Sequence, residues 1–434
     1  MRIDRVEIEN FKGIEKESFK LDSNFTVFVG ENGSGKTTVL DAVSFVLFPW
    51  IMGAASRFEW HDGFVRIVPD ELSDSGQFRE VFPVSVVATG KVCEEQMTWK
   101  RKDDSKTYLD QSIRIDEGLQ PFVSKAEKLR ASQGEKNEWP LLSYYRADRG
   151  SPPVNSADWN KIMTAKLIRP DGYLDWSDSE QSTSAFIEWM GRQEAIAFQE
   201  SSESQAAKAV KAAVLSCLPN ATKFGFSARL AEPVVHWEDG TTIPFSKLSH
   251  GQRATISLVG DIARRAAIIN PHLEGSTIGE TPGVVLIDEL DLHLHPRWQR
   301  RIVDDLKRTF PKIQFIATSH SPFIIQSLEP GELRVLGREE PKIEYSNQGI
   351  EEIIRFIQGV ESPEVSERYA EKKKAAKQYF EMLRDGKTLE DEEVKDAKEK
   401  LDKITASYSA NPALDAFLDV KTTAASSVVR EDSE

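Results

Sequence analysis

The sequence predicts an α/β protein: a mixed sheet carrying a phosphate-binding loop, an antiparallel β lobe beside it, an inserted helical subdomain and a C-terminal helical hairpin. Three observations predict it. The apolar run Phe25-Thr26-Val27-Phe28-Val29 leads into Gly30-Glu31-Asn32-Gly33-Ser34-Gly35-Lys36-Thr37-Thr38, a match to G-x-x-x-x-G-K-[ST]; residues 37–47 then place Val39, Ala42, Val43 and Val46 on one helical face. A second apolar run, Gly283-Val284-Val285-Leu286-Ile287, ends in Asp288-Glu289. Short β-rich runs occupy residues 60–118, whereas helical periodicity dominates beyond residue 350.

Residues 1–150 open with strand-like pieces at 2–8 and 25–29, joined through Asn10-Phe11-Lys12-Gly13-Ile14, where Gly13 suits a turn. Phe48-Pro49-Trp50 is expected to break the first helix. Runs at 81–89 and 95–100 predict the antiparallel lobe, with Lys100-Arg101-Lys102 at a hairpin tip, either solvated or against phosphate. Trp139-Pro140-Leu141-Leu142-Ser143-Tyr144-Tyr145 predicts a buried strand. Arg146 and Arg149 follow it at the end where parallel sheets bind ligands, a place that fits nucleotide contact and structural ion pairing alike.

Residues 151–245 are expected to form the helical insert, with its best helices at 185–195 and 203–217 and no length for a long coiled-coil arm. Residues 246–345 complete the head. Residues 346–420 read as a helical assembly domain: one helix over 350–360, a second from the Ser362-Pro363 cap to Arg384, and a third capped by Thr388. Val394, Ala397, Leu401, Ile404 and Tyr408 recur at spacings that suit an antiparallel partner helix. Residues 421–434 are expected to be disordered.

With 434 residues the chain has length for two or three domains. Its formal charge of −14 excludes a surface that binds nucleic acid throughout but leaves a local basic groove, and hence DNA contact, open. Cys93 and Cys217 are too few for a zinc site or a disulfide framework. No run of 18 apolar residues occurs, and Met1-Arg2-Ile3-Asp4 opens a strand rather than a signal peptide. The expectation is a reduced, cytoplasmic protein with no membrane partner.

The glycines of residues 30–38 let backbone N–H groups turn inward onto phosphate oxygens at the positive end of a helix. Lys36 then reaches the β- and γ-phosphates, and the Thr37 hydroxyl ligates Mg²⁺. Asp288, ending a strand, suits the same Mg²⁺, and Glu289 suits orienting or deprotonating the attacking water. Phe245-Ser246-Lys247-Leu248-Ser249-His250-Gly251-Gln252-Arg253 precedes an apolar-periodic helix, so Ser249 and Gly251 lie at a helix N-terminus suited to an anion. Leu290-Asp291-Leu292-His293-Leu294-His295-Pro296 carries two histidines, but no further Cys/His cluster completes a metal shell. Gln314-Phe315-Ile316-Ala317-Thr318-Ser319-His320-Ser321-Pro322 is a strand running into His320, a position that in isolation reads as structural.

In this order the four stretches resemble the ABC-type ATPases, and within them the SMC/OLD-like and Septu-like AAA-family ATPases of bacterial anti-phage defence. Asn10-Phe11-Lys12-Gly13-Ile14, Ile287-Asp288-Glu289 with His293-Leu294-His295-Pro296, and Thr318-Ser319-His320-Ser321-Pro322 carry the closer likeness. The resemblance implies an ABC-type P-loop head over residues 1–345 that binds ATP and Mg²⁺ through residues 30–38 and Asp288. It makes Ser249, Gly251 and Gln252 the signature, with His250 in place of the usual glycine. Glu289 becomes the general base, and His320 the switch histidine at the γ-phosphate. It further implies an ATP-sandwich homodimer or higher homo-oligomer, hydrolysis to ADP and phosphate that resets its shape, and a separate nuclease subunit of the HNH type.

Two features depart from the wider group. No glutamine follows Tyr144-Tyr145, where a Q-loop would lie, and residues 345–434 lack the acidic strand end and Asp-x-Asp of the OLD-type nuclease. Three alternatives stand beside this reading. A DNA-repair SMC-like ATPase would need a longer coiled coil. A transporter ATPase would need membrane-subunit docking near the Q-loop. A nucleotide-locked scaffold of low turnover fits the same motifs.

Overall fold

The computed structural model describes residues 1–55, 64–69, 78–104, 117–132, 136–147, 167–338, 345–360, 363, 366–385, 387–388 and 391–406. They fall into two compact units, Met1–Ile350 and Glu351–Glu434. In the first unit the strands are β1 (Arg2–Phe11), β2 (Ile14–Lys20), β3 (Phe25–Val29), β4 (Arg66–Pro69), β5 (Phe78–Val81), β6 (Val84–Val92) and β7 (Glu95–Asp103). They continue with β8 (Leu141–Tyr145), β9 (Ala221–Ser227), β10 (Glu232–Trp237), β11 (Thr242–Pro244), β12 (Gly283–Ile287), β13 (Ile313–Thr318) and β14 (Leu333–Val335). The longer helices are α1 (Lys36–Ala54), α2 (Gln120–Ala131), α3 (Ser179–Glu200), α4 (Gln205–Ser216), α5 (His250–Ile269) and α6 (Ile302–Thr309).

The central sheet has the order β14-β3-β13-β12-β8, and every neighbouring pair is parallel. β3, β8, β12 and β13 are buried along their whole length, which is why they read as continuous apolar runs rather than alternating ones. A second sheet, β2-β1-β6-β7, is antiparallel throughout. The α/β class, the antiparallel lobe and the helices are as the motifs predict; the sheet that carries the phosphate loop is parallel at every described pairing rather than mixed.

Helix α1 corrects one expectation: it does not stop at Phe48-Pro49-Trp50 but runs through to Ala54. Proline removes the N–H that would bond the carbonyl of Phe45. Arg101 supplies the missing donor, its Nη1 lying 2.8 Å from that carbonyl oxygen and its guanidinium 3.8 Å from the Phe45 ring centroid. The Trp99 indole N–H bonds the next carbonyl, Val46, at 3.1 Å. Arg101 is therefore buried in β7, neither at a hairpin tip nor against phosphate; the turn lies at Cys93 and Glu94, both at positive φ. Among the described residues α1 is long and apolar enough to cross a bilayer, yet 83% of that window is buried within the fold.

The insert contains the expected helices, α3 and α4, but residues 221–244 are not helical. They form the antiparallel sheet β11-β10-β9. Val234-Val235-His236-Trp237 favours a strand, and Gly240 at φ 82° turns the chain back. Arg149 and the start of the insert lie outside the described residues.

The helical segment begins with Ile350–Phe356, and in the second unit α7 (Glu367–Arg384) and α8 (Glu392–Ala406) pack on each other. Val394, Ala397, Leu401 and Ile404 meet Ala375, Ala376 and Tyr379, so the partner of the expected seam is α7 of the same hairpin. The first of these helices starts later than expected. Ser366 caps α7 by accepting the Tyr369 N–H at 3.2 Å, and the expected cap Ser362 lies outside the described residues. Ahead of α8 the Asp391 carboxylate accepts the Thr388 N–H at 2.7 Å, the bond by which a residue three positions on closes a box around a threonine cap. Tyr408 and residues 421–434 lie outside the described residues.

Candidate functional site

β3 delivers the chain into a tight loop. Gly33 (φ 80°) and Gly35 (φ 94°) take left-handed conformations that L side chains rarely adopt. A Cβ on Gly30 would lie 2.6 Å from Ser34 Oγ and 3.2 Å from the Leu336 carbonyl oxygen, so the loop closes only around glycine. Gly35 is the N-cap of α1, which places Lys36, Thr37 and Thr38 in its first turn.

Three strand ends converge on this turn. Asp288, just past β12, is buried, and its N–H bonds the Tyr145 carbonyl at the end of β8 at 2.8 Å. The Thr37 hydroxyl lies 2.9 and 3.2 Å from the two Asp288 carboxylate oxygens. From the end of β13 the Thr318 hydroxyl donates to Asp288 Oδ1 at 2.6 Å and accepts the Glu289 N–H at 2.7 Å. Glu289 itself sits at φ 49°, a left-handed conformation that is uncommon for a non-glycine residue and concentrates at functional sites. Asp291 accepts from the Ser319 hydroxyl at 2.6 Å and from the His320 N–H at 3.2 Å, fixing the backbone that presents His320.

The donor set fits a polyphosphate with a divalent cation. The Lys36 ammonium donates to the carbonyls of Gly30 (3.0 Å) and Glu31 (2.8 Å), inside its own loop. Burial lowers the Lys36 pKa, while Asp288, Glu289 and Asp291 work to raise it. Ser34 Oγ is buried with no hydrogen-bond partner. A desolvated cation, an unsatisfied hydroxyl and a carboxylate–hydroxyl pair of hard oxygen donors are what a phosphate chain and Mg²⁺ satisfy.

The signature stretch forms a separate cluster. Ser249 caps α5 in a reciprocal box: its hydroxyl accepts the Gln252 N–H at 3.3 Å, and Gln252 Oε1 accepts the Ser249 N–H at 2.9 Å. A Cβ on Gly251 would lie 2.7 Å from the His293 carbonyl oxygen, so only glycine lets the signature approach the segment after Glu289 this closely. The His250 and His293 rings are 5.8 Å apart, and His295 caps the helical turn at Pro296–Gln299. The Glu232 carboxylate accepts from the Ser246 N–H (2.7 Å) and hydroxyl (3.0 Å), tying the sheet at 221–244 to the approach to the signature. Further along α5, buried Asp261 takes the Tyr145 hydroxyl at 2.7 Å and pairs with Arg264 and Arg265 at 2.6 and 2.7 Å. Burial opposes the Asp261 charge, but the two arginines outweigh it and hold the carboxyl below its ordinary range.

The structure thus joins Thr37 of the loop, Asp288 and the Glu289 N–H in one network through Thr318, with His320 past the end of the same strand as Thr318. The hydrogen bonds of Ser249 and Gln252 stay within their own helical turn. Sequence reasoning passed over Thr318 and Asp291, both inside quoted motifs but given no role. It also passed over Asp41, whose signal was a lone carboxylate in the otherwise apolar run of α1.

Residues 25–326 match the family model described as "AAA domain, putative AbiEii toxin, Type IV TA system". The "Retron Vc95 probable ATPase" of Vibrio cholerae serotype O1 biovar El Tor is 26% identical over 392 residues, covering 77% of this chain and 73% of that protein. The "Septu protein PtuA" of Bacillus thuringiensis is 35% identical over 130 residues, 27% of this chain and 33% of that protein. Among solved structures, the SMC head bound to the C-terminal winged-helix domain of ScpA aligns with a TM-score of 0.43 and 15% identity, covering 76% of this chain and 92% of that one.

Proposed function

The chain belongs to this AAA-domain family, whose model spans well over half of it, and on that premise we propose that it is an ATPase controlling a separate effector in anti-phage defence. The observation that carries the catalytic part is the meeting of Thr37, one residue past the Lys36 that the loop carbonyls hold, and Thr318 on the Asp288 carboxylate. Residues 30–38 bind the phosphates. Thr37 and Asp288 hold Mg²⁺, which when bound neutralises charge on the β- and γ-phosphates. Glu289 takes the proton of the attacking water, and His320 contacts the γ-phosphate.

Ser249 and Gly251 make no bond to the loop of their own chain in the hydrogen bonds described above. This supports a second copy supplying them across the nucleotide, so that ATP closes two heads and hydrolysis opens them. Likeness to retron and Septu proteins supports the defence role and an effector carried on another chain, for which a nuclease of the HNH type is the proposed candidate.

Glu289→Gln tests the catalytic assignment. ATP binding is retained and turnover falls by about 10²-fold or more, whereas Lys36→Ala weakens binding itself. Undiminished turnover in purified Glu289→Gln removes the assigned base.

A further inference from the structure

Buried Asp41 lies one helical turn beyond Thr37, on the same face of α1. Its carboxylate gathers three donors from two other elements. Oδ1 accepts from the Tyr144 hydroxyl at 3.0 Å and from Arg146 Nη2 at 3.2 Å. Oδ2 accepts from Lys12 Nζ at 2.6 Å. Lys12 belongs to the β1–β2 turn.

Tyr144 and Arg146 flank Tyr145, whose carbonyl holds the Asp288 N–H. One carboxylate therefore fastens the helix that carries Thr37 to the strand end from which Asp288 hangs, on both sides of the hanging point. We propose that Asp41 is a positioning residue that sets the Thr37–Asp288 spacing and thereby the affinity of the site for its divalent cation.

The spacing matters because Mg²⁺ demands near-ideal octahedral geometry at short metal–oxygen distances, so displacement of one ligand weakens binding sharply. Nothing else on α1 replaces Asp41: its other described charge, Lys36, is held by the loop carbonyls. Burial and the Asp41 carboxylate both push the Tyr144 pKa well up, so the phenol stays protonated and remains a donor. An asparagine at 41 cannot serve all three donors, because one end of its amide is itself a donor and must face either Lys12 or the Tyr144–Arg146 pair.

The proposal rests on the Thr37–Asp288 metal reading above, and the experiment separates the two. The full chain is titrated with MgCl₂ in the presence of a fluorescent ATP analogue, with a parallel series in excess EDTA. Asp288→Asn tests the metal reading alone and is expected to abolish the Mg²⁺-dependent gain in nucleotide affinity; an unchanged gain overturns that reading without involving Asp41. Asp41→Asn is expected to raise the half-saturating Mg²⁺ concentration about tenfold while leaving affinity in EDTA unchanged, and Tyr144→Phe to raise it about threefold. A folded Asp41→Asn with the wild-type Mg²⁺ midpoint, or one that loses affinity equally with and without Mg²⁺, overturns the proposal. Should Asp41→Asn fail to fold, Tyr144→Phe decides: an unshifted midpoint overturns the proposal, and a shift confined to the Mg²⁺ series sustains it.

Discussion

Helix α1 survives a proline in its interior because Arg101 stands in for the lost N–H, and this substitution of one donor for another can be measured. Arg101→Met keeps the apolar stem and removes the donor, leaving the buried Phe45 carbonyl without the bond at 2.8 Å. A hydrogen bond to a charged group contributes about 1.5–3 kcal/mol. The cation–π contact with the Phe45 ring, at 3.8 Å, adds about 0.5–2 kcal/mol. Relief of the buried guanidinium's desolvation offsets part of this, so the expected loss is about 2–3 kcal/mol. Pro49→Ala restores the backbone N–H that the Phe45 carbonyl lacks. In that background Arg101→Met should cost about 1 kcal/mol less than in the wild type, a coupling read from a double-mutant cycle.

All nine tryptophans lie within the first unit, so urea unfolding followed by tryptophan fluorescence reports on the head alone. Equal cost of Arg101→Met in both backgrounds would refute the idea that the guanidinium replaces a helical hydrogen bond. The functional corollary is that Arg101→Met also weakens ATP binding, because α1 carries Lys36 and Thr37 in its first turn.

Two further outcomes bear on assembly. Ser249→Arg places bulk and charge where a second copy's γ-phosphate is proposed to sit; each open head should bind ATP normally, while nucleotide-driven dimerisation, followed by light scattering, and hydrolysis are lost. If Ser249→Arg dimerises with ATP as the wild type does, the composite site is wrong. Deleting residues 362–434 should leave ATP affinity within about twofold while abolishing higher assembly or effector capture, because every nucleotide motif precedes residue 321 and the hairpin's seam is filled internally by α7 and α8. A truncated head that still forms the same assembly and captures the same effector assigns the hairpin to packing only.

What could be read without coordinates was chemistry carried by contiguous residues. The phosphate loop, Asp288-Glu289, the signature and His320 each occupy a short stretch whose glycines, caps and apolar runs dictate local conformation. The parallel strands were legible for the same reason, since burial on both faces imposes unbroken apolar runs. The hairpin seam was legible from its spacing, although α7 begins at the Ser366 cap, a turn later than expected.

What only the tertiary structure decided were partnerships between residues far apart in the chain. Pro49 reads as a helix breaker until Arg101 arrives from β7 to bond the carbonyl of Phe45, 56 positions away. Asp41 has no legible role until Lys12, Tyr144 and Arg146 surround it, and Thr318 acquires a role only when β13 sets its hydroxyl between Asp288 and Glu289. The physical reason is common to all three. A buried polar group must be satisfied, but the rule leaves its partner unnamed, and the partner is chosen by which strand ends and helix turns the fold brings within 3 Å.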